Sequence, residues 1–118
     1  MGVGEIVNVV CLIQSHPMES HRAVEGIRIA LGLASGEHDV TVILTGDAPR
    51  LLGPEMEEDG VDGDLAQKFL PVLMTFIPKI FVDAASAVAL SDSDYATATL
   101  SRDEIARHVA GASRLLVF

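Results

Sequence analysis

The stretch IVNVVCLI, residues 6–13, is apolar at every position except Asn8 and rich in Val and Ile. A strand with one wet face alternates apolar and polar residues, whereas a strand covered on both faces has no polar side to show. The stretch therefore predicts a central strand of a parallel sheet, with a helix layer on each face. Period-two geometry along it turns Cys11 into one of those layers.

Downstream, residues 20–35 place Val24, Ile27, Leu31 and Ala34 at helical spacing, with Ala23 and Ala30 widening the stripe and Gly36 following as a C-terminal cap. VTVIL, 40–44, is a second strand, so strand, helix and strand make a right-handed βαβ unit. Asp47, Ala48 and Pro49 can open a short helix through Leu51 and Leu52, the Asp side chain accepting from first-turn N–H groups. GPEMEEDGVDGD, 53–64, reads as a polar surface loop. From Asp64 a second helical pattern carries Leu65, Phe69, Val72 and Phe76 on one face, and Pro71 within it predicts a kink or a late start. KIFV, 79–82, is a third strand and residues 96–100 a fourth. Ser101 with Glu104 forms a capping box, opening a helix that turns Ile105, Ala106 and Val109 inward and ends at Gly111. RLLVF, 114–118, is the last strand. The alternation predicts one α/β domain over residues 1–118, a Rossmann-like three-layer α/β/α sandwich with about five mostly parallel strands.

Composition narrows the function. The chain has 118 residues and a formal net charge of −9, with two lysines and six scattered arginines. Phosphate backbones are held by clustered cations, so a nucleic-acid partner is not expected. The longest apolar run, Val9 to Ile13, is far short of the roughly 20 residues that cross a bilayer, so no membrane partner is expected either. The N-terminus lacks a basic region and a cleavage pattern, and a lone cysteine cannot close an internal disulfide; both fit a cytoplasmic protein.

QSHPMES, 14–20, follows the first strand and falls at the carboxyl edge of the sheet, where ligands of such folds sit. His16 and His21 are five residues apart, not the four that align two ligands on a helix, and Glu25 beside His21 fits a solvated ion pair better than a metal site. Neither GxGxxG nor GxxxxGK[ST] is present and the loop has no glycine, so no phosphate cradle, metal or cofactor is expected. Asp83 lacks the acidic pair and lysine that would make it a phospho-acceptor. Ser86 lacks a GxSxG turn that would make it a nucleophile. Cys11, covered in the core, is expected to be chemically quiet. These readings leave no catalytic group and point to a cleft lined by Ser15, His16, Met18, Asp83 and Ser86; a loop that only caps the first helix is the alternative. VLMTFIP, 72–78, is apolar nearly all round and needs cover on more than one side, part of it from another subunit.

Taken in order, these pieces resemble the DsrE/DsrF family of small sulfur-relay proteins, closest to its DsrF/TusC branch. The resemblance rests on Ser15-His16-Pro17 after an apolar first strand, HRAVEGIRIALGLA at 21–34, HDVTVILTGDA at 38–48, IFVDAAS at 80–86 and LSRDEIARHVAGASRLLVF at 100–118. It implies a Rossmann-like fold, assembly into homo- or hetero-oligomers such as trimers or hexamers, and exchange of sulfane sulfur with a sulfur-carrier protein. In the DsrE/TusD branch a cysteine just after the third strand carries the persulfide. Here that position falls on Val82 or Asp83, and a carboxylate cannot hold a persulfide. The resemblance thus implies a non-catalytic or divergent subunit. A module binding a small molecule or nucleotide at the carboxyl ends of the strands is the competing expectation.

Overall fold

The computed structural model describes residues 6–86 and 95–118. In chain order the elements are β1 (Asn8–Ile13), α1 (Arg22–Ser35), β2 (Asp39–Leu44), a 3₁₀ turn at Ala48–Leu52, α2 (Met56–Asp59), α3 (Gly63–Leu73), β3 (Ile80–Asp83), a 3₁₀ turn at Ala84–Ser86, β4 (Thr97–Leu100), α4 (Arg102–Gly111) and β5 (Arg114–Val117). The five strands form one sheet in the order β4-β3-β2-β1-β5, and every pairing is parallel. The expected fold class is the one observed, with β1 at an interior position.

Handedness explains where the helices lie. Right-handed crossovers that step from β1 to β2 to β3 put their helices on one face, and the return from β4 across the sheet to β5 puts its helix on the other. Accordingly, Val9, Cys11 and Ile13 pack with Val24, Ile27 and Ala30 of α1 and Leu70 and Leu73 of α3. Val10 and Ile43 face the opposite side, against Ile105 and Val109 of α4 and Leu100 of β4. The first cluster is the main core: Ile13, Ile27, Leu44, Leu73 and Ile80 are all fully covered. Each such side chain contributes about 1.5–3 kcal/mol relative to exposure.

Local chemistry sets the ends of the elements. α4 has the expected capping box: Ser101 Oγ accepts from Glu104 N–H at 3.2 Å and Glu104 Oε1 accepts from Ser101 N–H at 3.1 Å. α1 ends with Gly36 at its C-cap as expected, but the left-handed residue is the next one. Gly36 keeps a negative φ, and Glu37 takes the left-handed conformation (φ 69°). Glu37 N–H donates to Ala34 O and His38 N–H to Leu33 O, the paired bonds of a Schellman motif. His38 Nδ1 then accepts from Val7 N–H at 3.3 Å, tying this turn to the entry of β1.

Four further expectations are corrected. Asp47 precedes a helical turn but its side chain caps nothing; its carboxylate instead meets Arg50 Nε at 3.4 Å. The stretch 53–64 contains α2, whose Met56 is 1% exposed and anchors the segment in the core. Pro71 imposes no late start: α3 begins at Gly63 and runs on to Leu73 with Pro71 inside it, without the hydrogen bond that an N–H at this position would have donated one turn back. Ala106 is exposed rather than inward, since a single stripe of α4 through Ile105 and Val109 is enough to reach the sheet. On α3 the core stripe is Ala66, Leu70 and Leu73, continued beyond the helix by Ile77; the neighbouring residues Leu65 and Val72, with Phe76 in the following turn, are 37%, 46% and 50% exposed.

Among the described residues no helix is long and apolar enough to cross a membrane.

Candidate functional site at the carboxyl edge of the sheet

The strand order reverses between β1 and β5, because the chain leaves β1 towards β2 and returns to β1's other side only at its last strand. In open parallel sheets the crevice at such a reversal, beyond the carboxyl ends of the strands, is where ligands bind. Here the chain bonds across that reversal itself. Gln14 N–H donates to Phe118 O at 2.9 Å and Ser15 N–H to the same oxygen at 3.3 Å. From α1, Arg22 Nη2 donates to Val117 O at 3.3 Å.

The 15–20 loop is a tight turn. His16 O accepts from both Glu19 N–H and Ser20 N–H. The His16 side chain, 28% exposed, accepts at Nδ1 from Met18 N–H at 3.1 Å and leaves Nε2 3.8 Å from Glu19 Oε2. This bond to Nδ1 puts the neutral ring's proton on Nε2, so Nε2 is the nitrogen that can donate to Glu19 or a ligand. Met18 lies partly buried against the main core, and Pro17 is buried, its carbonyl accepting from Val61 N–H at 2.9 Å. The loop is therefore pinned on both sides, by β5 and by the α2–α3 connection.

The second part of the edge is built where β2 and β3 end. Asp83 is the last residue of β3, and its Oδ1 accepts from Ala85 N–H at 2.9 Å, an Asx turn that aims the chain into the 3₁₀ turn. Ser86 Oγ accepts from Gly46 N–H at 2.8 Å. Gly46 has φ +58°, and a Cβ there would stand 3.2 Å from Gln14 O, so only glycine brings the three strand ends this close without strain. The structure thus joins Ser86 to the β2 loop and, through Gly46, to the backbone after β1. Among the described residues no hydrogen bond or ion pair links Ser15 or His16 to Asp83 or Ser86. The sequence singled out Ser86 but not its partner Gly46, whose only signal was a glycine two residues after a strand.

Cys11 lies one layer below. It is fully buried, and burial pushes its thiol up to about 11. A thiol that ionises that late is a poor nucleophile and a poor sulfur acceptor near neutrality. Among the described residues no group of three or more His, Cys, Asp and Glu side chains is placed to hold a metal ion. Glu25, which the sequence places beside His21, is bonded instead by Arg28, and this guanidinium holds its carboxyl below the usual range.

No family model matches the chain, and no curated protein matches it in sequence. Among solved structures it is similar to the crystal structure of the ychN protein from E. coli, with a TM-score of 0.78 and 18% identity over 96% of this chain and 100% of that one. At that identity the likeness is one of fold, and it extends over essentially the whole of both chains.

Proposed function

We propose that this chain is a subunit of a DsrE/DsrF-type sulfur-relay assembly that does not itself carry the persulfide. The observation that carries the reading is the state of the single thiol. Cys11 is enclosed between the sheet and α1 with its ionisation pushed to about 11, while the end of β3 presents Asp83, whose carboxylate is spent on its own turn. The whole-length likeness in fold to ychN and the sequence resemblance support the relationship. Exposed Val72 on α3 and Phe76 in the turn after it support a role in association with other subunits, one of which would supply the cysteine.

The test is the intact mass of the folded protein after incubation with a low-molecular-weight persulfide donor, with Cys11→Ser as control. The expected result is an unchanged mass for both. Gain of one sulfur on the native protein but not on the variant would overturn the non-carrier role.

A second reading, a small-molecule or nucleotide module at the strand ends, is favoured by the Ser86–Gly46 bond, which assembles three loops at one edge. It predicts a ligand-induced rise in melting temperature across a metabolite and nucleotide panel that Ser86→Ala removes. A flat panel sinks it.

A further inference from the structure

Away from the strand ends, a cavity of about 290 Å³ opens on the flank of α4 and is lined by Glu104, Arg107 and His108. The volume is near the lower end of small-molecule sites, which run from about 300 to 1,000 Å³. A depression of that size has room for a metabolite-sized group.

The polar groups around it are unevenly committed. Glu104 is already used: its carboxylate accepts from Ser101 N–H in the capping box, and that bond, the Ser101 hydroxyl, Arg107 and His108 hold it below the usual carboxylate range. Arg107 reaches Glu104 only through space, and among the described residues no hydrogen bond or ion pair holds its guanidinium. The His108 ring leans on Phe81, with centroids 5.3 Å apart and planes tilted by 41°. Lys79 Nζ lies 5.7 Å from the centroid of the same Phe81 ring. A histidine and a lysine thus meet one aromatic ring, and an arginine lines the cavity beside that histidine, in a chain whose other arginines are largely held: Arg28 by Glu25, Arg50 by Asp47 and Arg22 by Val117 O.

We propose that this cavity binds a small oxyanion, a phosphate ester or a carboxylate, taken by the Arg107 guanidinium and the His108 imidazole with Lys79 adding positive charge beside Phe81. The planar fork of an arginine matches two oxygens of either group. Carboxylates more than about 8 Å away are screened at physiological salt; the one that lines the cavity, Glu104, opposes an anion directly, and its charge is met by the Ser101 N–H that Oε1 accepts from and by Arg107 and His108.

The experiment is a pair of ¹H–¹⁵N titrations of the labelled full chain, one with phenyl phosphate and one with benzoate. Saturating shifts of the Arg107, His108 and Phe81 amides in either arm, weakened about tenfold or more in Arg107→Gln, are expected; the arm that saturates names the oxyanion. Arg107 is exposed, so the variant keeps the fold, which the unshifted amides of β1 verify. Shifts that never saturate in either arm, or that saturate equally in the variant, overturn the proposal. The amides of Ser15 and Gly46 in the same spectra report the strand-end edge separately, so this site fails or stands independently of any ligand there.

Discussion

At the scale of single residues, Cys11 couples the core to pH. Its thiol ionises near 9 in the unfolded chain and near 11 in the folded one, so between these values the folded state holds the extra proton. Stability is therefore intact below about pH 9 and falls as pH rises, by up to about 1.4 kcal/mol per pH unit through the window. Urea unfolding at a series of pH values from neutral to 11 checks this, and Cys11→Ala is expected to flatten the alkaline limb while lowering the plateau. Cys11 as a covered strand residue was legible from period two alone. The turn that Asp83 makes with Ala85 was not read from the sequence, which offered Asp83 only as a cleft residue, although the bond is local. Ser86 was visible only as a residue, because its partner Gly46 is forty positions earlier and depends on β2 and β3 becoming neighbours.

At the scale of elements, two glycines in helices make opposite predictions. A Cβ on Gly63 would stand 2.1 Å from Met56 O, so the first residue of α3 lies against the backbone of the first residue of α2. Gly63→Ala forces that junction open and is expected to cost about 2–3 kcal/mol. Gly32, inside α1, has nothing within 4 Å of its added Cβ. Gly32→Ala is expected to stabilise by about 0.5–1 kcal/mol, through the helix preference and a less flexible unfolded chain. Paired thermal melts read both signs. Strands and the α4 capping box were readable because their signals are local and redundant. α2 was hidden because a four-residue helix has too little periodicity to stand out in an acidic stretch, and only the burial of Met56 reveals it.

At the scale of the whole molecule, α3 carries two apolar stripes side by side and can bury only one against α1. Spacing could not say which would win. Ala66 and Leu70 did, because a small residue lets the helix approach the sheet layer, while Leu65, Val72 and Phe76 are left towards solvent. If subunit association uses that stripe, Val72→Glu combined with Phe76→Glu converts an oligomer into monomers in sedimentation equilibrium with little change in melting temperature. An unchanged oligomer moves the interface elsewhere. The other border of the molecule has a different character. β5 is a four-residue outer strand, and Val117 O projects from it away from β1, where Arg22 meets it. A bare edge is a template on which further chains could add, one strand after another, in the manner of a growing fibril. With a guanidinium seated on that carbonyl, an incoming strand must first displace a charge, and the sheet has a guarded border where an assembly of many copies would otherwise begin to polymerise.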